Sequence, residues 1–238
     1  MVFRFWGDGS QSAMDAVKDA FAHVRDSGYN FNWTFIFILA VVFYVYWSEM
    51  HKKNYAAIQA GLALYGVHWL YEITNAIIGK ASGYPLWTVS PDSTTLILLV
   101  GVSWELSMMF SLAGIISFKM MPEDRTKRYF ARGKFKGVSC KLVVALEMAL
   151  LFALFESFLA GAGALVPNGT GGLTFKPAFI WVYKWWGVIP VFITTYVPFF
   201  LASNYVPDMK PKVRNIFLIA EWGLVALLLA ILIPCGVI

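Results

Sequence analysis

Apolar residues dominate six stretches of the chain, at approximately 32–50, 55–79, 93–118, 138–164, 178–203 and 214–237. Each is close to the ~20 residues a helix needs to cross the hydrocarbon core of a bilayer, so the pattern predicts six transmembrane helices. Residues 1–31 follow another rule. From Ser12 to Ser27, Met14, Val17, Phe21 and Val24 recur at helical spacing, while Asp15, Lys18, Asp19, Arg25 and Asp26 lie off that face. Gly28 suits the stop. This segment reads as an amphipathic helix on the membrane surface or capping the bundle, with His23 solvated. The predicted fold is all-α: a surface segment over 1–31, then a polytopic bundle of six transmembrane helices over 32–238.

The second stretch departs from a plain span. Tyr65, His68, Glu72 and Asn75 are spaced 3, 4 and 3 apart, and with Gly61 and Gly79 they fall on one side of a helix. A transmembrane helix turns such a stripe toward protein or a cavity, not toward lipid.

Composition supports the membrane assignment: 59% of the 238 residues are hydrophobic and only 14% are charged, against roughly 25% charged in soluble domains. The net charge of +5 then bears on topology rather than on nucleic acid, for which no partner role is expected. The loops at 50–54, 119–137 and 204–214 hold twelve Lys and Arg, against five in Arg4, Lys18, Arg25, Lys80 and Lys176. The positive-inside rule puts the three basic loops in the cytoplasm and both termini on the other side, in a plasma, inner or endomembrane. The 119–137 loop reads as an anchor on anionic lipid. Cys140 and Cys235 lie near ends of different spans, and no disulfide is expected. The N-terminus lacks the pattern of a cleaved signal peptide. Asn168-Gly-Thr170 fits a glycosylation acceptor on the exterior. Trp69, Trp87, Trp181, Trp185 and Trp186 read mostly as interfacial belt.

Ionisable residues within spans are costly and mark candidate sites. Glu72, Glu105, Glu147, Glu156, Glu221 and Lys184 are such residues. Counted along the helices at ~1.5 Å per residue, Glu72, Glu156 and Lys184 share an outer level, with His68 one turn deeper and Glu105 near the midplane. Glu147 and Glu221 share an inner level and read as a structural pair. Glu147 and Glu156 are nine residues apart, on opposite sides of their helix at ~100° per residue. Pro190 and Pro198 bend the fifth span, either as a plain kink or to shape a cavity.

The outer set suits proton transfer on a lipid-soluble substrate. A carboxyl in apolar surroundings can keep its proton and act as an acid, a neighbouring His can relay it, and aromatic faces can stabilise a developing carbocation. His68-Trp69-Leu70-Tyr71-Glu72 in one span and Trp104-Glu105 in the next carry these groups. A His four residues before a Glu, with a second Glu in the following span, resembles the sterol Δ8–Δ7 isomerase group. Trp followed directly by Glu is similar to the membrane-bound terpene cyclases of meroterpenoid pathways. The resemblance covers about fifteen residues, and the chain has one span more than the isomerases and one fewer than the cyclases. It implies an isomerase or cyclase acting on an isoprenoid or sterol-like lipid, with Glu72 and Glu105 as the protonating and deprotonating pair and His68 assisting.

The candidate site therefore comprises His68, Glu72 and Glu105 as catalytic groups, with Tyr65, Trp69, Asn75, Trp104, Glu156 and Lys184 around the substrate. No cofactor is expected. Two alternatives remain open. One is a proton- or cation-conducting protein, or an accessory subunit of a membrane complex or homo-oligomer. The other is a metal site built from His68, Glu72, Glu105 and Glu156. No haem, retinal or phosphate-loop pattern is present.

Overall fold

The computed structural model describes residues 11–30, 35–134, 136–161, 164–167, 173–176, 179–183 and 186–238. The helices are α1 (Gln11–Ala22), α2 (Ser27–Asn30), α3 (Phe35–His51), α4 (Tyr55–Ser82), α5 (Trp104–Met120), α6 (Cys140–Gly161), α7 (Val188–Val191), α8 (Val197–Tyr205) and α9 (Pro211–Leu232). A five-residue π-helical turn, Phe192–Tyr196, joins α7 to α8 without a break. Among the described residues, three helices are long and apolar enough to cross a membrane: Cys140–Ala160, Val188–Asp208 and Pro211–Leu232. Helix α3 is apolar but shorter.

Among the described residues there are also short antiparallel ladders, which correct the all-helical expectation. Strand β1 (Trp87–Val89) pairs with β8 (Phe179–Trp181), and β2 (Ile97–Leu99) with β3 (Val102–Ser103). Strand β4 (Arg128–Tyr129) pairs with β5 (Val138–Ser139), and β6 (Ala164–Pro167) with β7 (Leu173–Lys176). Two predicted spans shorten as a result. The apolar run Leu96–Val102 is a hairpin turning near Gly101, and the helix starts only at Trp104, where the Ser103 side chain accepts from the Leu106 N–H at 3.5 Å. The 178–203 span begins as strand β8, because Phe179-Ile180-Trp181 is aromatic and β-branched; helix starts at Val188. A continuous apolar run does not by itself distinguish a buried strand from a helix.

Helix α4 is the central element. Asn54 caps its start by accepting from the Ala57 N–H at 3.4 Å, and Gly83, at φ 77°, ends it by donating to the Gly79 carbonyl at 2.8 Å. It packs against α3, α5, α8 and α9 and buries twelve residues, whereas α9 buries only Glu221 and Val225. Against α5 the backbones come close: a Cβ on Gly114 would lie 2.5 Å from the Ala60 carbonyl oxygen. Small residues permit such contact between helices in lipid. The outer faces are apolar, with Phe37 77% and Ile219 73% exposed, while the polar stripe of α4 turns inward. This inside-out arrangement is the one a bilayer selects.

The two ends of the bundle differ in kind. At one end Glu49 is buried under Lys119 at 2.5 Å, and Asp208 pairs with Arg125 at 3.0 Å and with Lys141. At the other, Arg25 donates to the carbonyls of Leu98 and Ile238 at 3.1 and 3.0 Å. There α1 buries Ala13, Val17 and Ala20 and packs on β1 and β8, so the amphipathic segment caps the bundle. The His23 ring bonds the Asp19 carbonyl at 2.9 Å. Cys140 is buried and Cys235 exposed, and both are free. The proposed pairing of Glu147 with Glu221 does not form. Glu147 faces outward on α6, and both Glu221 oxygens lack a hydrogen-bond partner among the described residues. Asn168-Gly-Thr170 lies outside the described residues.

Candidate functional site

The polar stripe of α4 leads to a cavity of about 50 Å³ enclosed by α4, α5, α6 and the α7–α8 rod. Glu72 enters from α4 and Glu156 from α6. Both are buried, and each carboxyl is held by neutral donors. Trp87 Nε1 donates to Glu72 Oε1 and Oε2 at 3.2 and 3.3 Å. Trp181 Nε1 donates to Glu156 Oε1 at 3.0 Å, and the Tyr196 hydroxyl donates to Glu156 Oε2 at 2.5 Å. No Lys or Arg lines the cavity among the described residues. A buried carboxylate is costly without a cationic partner, and two of them around one cavity are accommodated when a single proton serves the pair.

His68 lies one turn from Glu72, with Nε2 3.6 Å from Glu72 Oε1. That is too long for a hydrogen bond, and neither ring nitrogen has a partner among the described residues. The ring stacks on Phe110 at 4.1 Å. Phe110, Phe152, Tyr196 and Phe199 complete an aromatic wall.

The local chain explains the geometry. Asn75 accepts from the Leu86 N–H at 2.7 Å and donates to the Trp87 carbonyl at 2.9 Å, which pins β1 one turn above Glu72. Trp87 and Trp181 are partners in the β1–β8 register. Gly101 passes beneath them; a Cβ there would lie 2.5 Å from Glu72 Oε2 and 2.6 Å from Trp87 Nε1. Pro198 has no N–H to offer the Thr194 carbonyl, and the Tyr71 hydroxyl of α4 fills that acceptor at 2.7 Å. The adjoining π turn presents Thr195 and Tyr196 to the cavity, the kind of irregularity that recurs at functional sites. The bend at Pro198 thus lies beside the turn that presents Thr195 and Tyr196 to the cavity.

The candidate residues read from the sequence separate into groups. His68, Glu72 and Glu156 come together. Glu105 does not: it sits in the first turn of α5 and accepts from the Thr95 N–H at 2.6 Å and from the Thr95 hydroxyl. Its expected midplane depth followed from starting the helix near residue 93, eleven residues early. Asn75 is a backbone clamp. Tyr65 and Trp104 line a different groove, on the side facing α3 and α9. Trp69 touches the rings of Tyr65 and His68 from outside the cavity. Lys184 and Trp185 lie outside the described residues. The metal set His68, Glu72, Glu105 and Glu156 is not assembled, and among the described residues no three His, Cys, Asp or Glu gather to hold an ion.

The residues missed were Trp87, Trp181, Tyr196 and Gly101. Trp87, Trp181 and Trp186 are 7%, 2% and 6% exposed, so they are core rather than belt.

A model of an uncharacterized membrane protein family matches residues 14–169 and 171–234. A protein of Archaeoglobus fulgidus, described as an uncharacterized protein, is 34% identical over 197 residues, covering 82% of this chain and 83% of its own length. No solved structure matches the chain. Matched along most of its length and carrying three helices able to cross a bilayer, the chain belongs to this uncharacterized family of integral membrane proteins.

Proposed function

We propose that this protein is a membrane enzyme that moves a proton onto and off an unsaturated isoprenoid or sterol-like lipid, in an isomerisation or cyclisation. One observation carries the reading: Glu72 and Glu156 face a single aromatic cavity from two different helices, with no Lys or Arg lining it among the described residues. In this mechanism Glu72 gives its proton to one carbon of a substrate double bond. The electron pair of that bond forms the new C–H bond, and the adjacent carbon becomes cationic. The rings of Phe110, Phe152, Tyr196 and Phe199 stabilise that charge. Glu156, oriented by Tyr196 and Trp181, removes a neighbouring proton, and those C–H electrons form the new double bond. The cycle closes when the proton now on Glu156 returns to Glu72, with His68, whose Nε2 stands 3.6 Å from Glu72 Oε1, moving into hydrogen-bond reach to relay it.

Substrate access is lateral. Leu106 and Met109 of α5 and Phe155 and Leu159 of α6 form the rim of the cavity, and Phe155 is 43% exposed toward the bilayer side. A cavity of about 50 Å³ accommodates the reacting carbons while the rest of a hydrocarbon chain extends through that rim. The isomerase-like resemblance named Glu105 as the second carboxyl; Glu156 takes that role here. The six-span topology, with the basic loops cytoplasmic and both termini outside, belongs to the same proposal. The juxtaposition of Glu49–Lys119 with Arg125–Asp208–Lys141 at one end supports it.

The test is deuterium incorporation. Protein reconstituted in liposomes of unsaturated prenyl or sterol lipids in D2O should place deuterium on carbon, read by mass spectrometry of the extract. Glu72→Gln and Glu156→Gln should each remove the signal. A second reading, proton or cation conduction, draws on Glu221, whose buried oxygens lack hydrogen-bond partners among the described residues where it lies against Gly66 of α4. If no lipid acquires deuterium and Glu72→Gln alters proton flux into liposomes, conduction replaces catalysis.

A further inference from the structure

Glu147 has no place in the carboxyl cavity and no partner of its own. Glu156 reaches that cavity from α6, and Glu147, nine residues earlier on the same helix, projects to the opposite side at ~100° per residue. Its side chain is exposed and makes no hydrogen bond or ion pair among the described residues. Its depth makes that exposure costly. Lys141, which pairs with Asp208 beside Arg125, marks the end of the bundle. Glu147 stands six residues further along α6, about 9 Å into a hydrocarbon core of roughly 30 Å. Lys and Arg can return a charged head to the interface over such a distance, but a glutamate side chain is too short to do so. Lipid tails offer its carboxyl no hydrogen bond.

The surroundings of Glu147 narrow the partner. Leu151, Leu154 and Phe158 follow it at intervals of 4, 3 and 4, and all three are exposed. That spacing lines a seam along which two helices pack at a shallow angle of about 20°. Among the described residues, no exposed Lys or Arg lies in a helix of the bundle beyond its first or last turn. The described surface therefore offers no cation to meet Glu147 at its depth. It does offer Glu147 itself. Two carboxylic acids face to face exchange two hydrogen bonds, each O–H donating to the other's carbonyl oxygen, so neither donor is left unpaired. A two-fold axis through the seam brings one residue against its own copy in this way.

We propose that α6 is a homodimer interface within the bilayer, in which the Glu147 carboxyls of two copies hydrogen-bond across a two-fold axis while Leu151, Leu154 and Phe158 pack along the seam. Polar side chains bonded between helices are a recognised source of association in lipid. The interface is independent of the proton-transfer reading: it forms whether or not Glu72 and Glu156 are catalytic.

The measurement is Förster transfer between donor- and acceptor-labelled copies of the full-length protein, tagged at the exposed Cys235 and diluted with lipid in liposomes. Transfer should fall with dilution as a monomer–dimer equilibrium. Glu147→Gln keeps a group that both donates and accepts, and should leave the dissociation constant within about threefold. Glu147→Leu should raise it about fivefold to thirtyfold. Cross-linking with copper phenanthroline locates the surface and does not depend on those variants. In a Cys235→Ser background, Leu154→Cys should join two copies by a disulfide, and Ile219→Cys on the outer face of α9 should not. Transfer no greater than that of randomly mixed monomers, or cross-linking as efficient at 219 as at 154, overturns the proposal. A dissociation constant unchanged by Glu147→Leu, or raised equally by Glu147→Gln, overturns the carboxyl pairing.

Discussion

Trp87 and Trp181 are Cα partners across the β1–β8 ladder, and each donates its indole N–H to a different buried carboxyl, Glu72 on α4 and Glu156 on α6. Residues directly opposite in an antiparallel pair project to the same face. Two strands of three residues therefore aim two donors into one cavity from segments 94 positions apart. The ladder sets the separation of the two carboxyls, because each carboxyl is tied to one of its rungs.

Removing either donor should destabilise the protein through the same route. Trp87→Phe and Trp181→Phe keep an aromatic ring and delete the N–H, at about 1–3 kcal/mol each for a buried carboxyl left short of a donor. Because the indoles are neighbours, the double variant should depart from additivity by about 0.5 kcal/mol or more. Thermal or denaturant unfolding in detergent micelles measures all three; strict additivity would mean the two carboxyls are held independently.

Gly101→Ala should disrupt the site without replacing any functional side chain. The new Cβ meets Glu72 Oε2, Trp87 Nε1 and Asn75 Nδ2, so the β2–β3 turn must retreat. Overpacking of this kind costs about 1–3 kcal/mol. Gly223→Ala on α9 is the control, since a Cβ there meets nothing within 4 Å. Equal melting temperatures for the two variants would contradict the close approach.

Tyr71→Phe tests how the bent helix is satisfied. Loss of the hydroxyl leaves the Thr194 carbonyl without its partner, at about 1–2 kcal/mol. In a Pro198→Ala background the restored backbone N–H competes for that carbonyl, so the same change should cost less. A cycle of the four proteins by unfolding gives the coupling, and a cost unchanged by Pro198→Ala would rule out the compensation.

Glu105→Gln and Glu156→Gln should differ sharply in turnover. The Gln side chain at 105 can still accept from Thr95, so turnover should remain within about twofold, whereas loss of the acid–base group at 156 should lower it by about 10²-fold or more. Deuterium incorporation in proteoliposomes reads both. The opposite ranking would restore Glu105 as the second catalytic carboxyl.

Much of this arrangement is legible in the residues themselves. The 3–4–3 spacing from Tyr65 to Asn75 marks the inward face of α4, and counting levels along the spans brings Glu72 to the depth of Glu156. What stays hidden is tertiary. Trp87 and Trp181 carry the composition of an interfacial belt, and only the pairing of distant strands turns them into core donors. Glu105 was misplaced because Leu96–Val102 is as apolar as a helix of its length, though it folds as a hairpin. The register of α5 then starts at Ser103, and Glu105 falls in the capped first turn instead of mid-helix. The groove beside Trp104 is a gap between four helices, and no local pattern reports the space between elements.

The order of the chain has a bearing on its biogenesis. Ribosomes make Glu156 before Trp181 and Tyr196, the two residues that hold its carboxyl. Domains and spans form from the N-terminal end as synthesis proceeds. The α6 helix must therefore enter the bilayer with an unattended carboxyl and wait for about forty further residues to emerge. A proton taken from water offsets that cost at insertion, and it must leave Glu156 again before the finished cavity can use that carboxylate as its base.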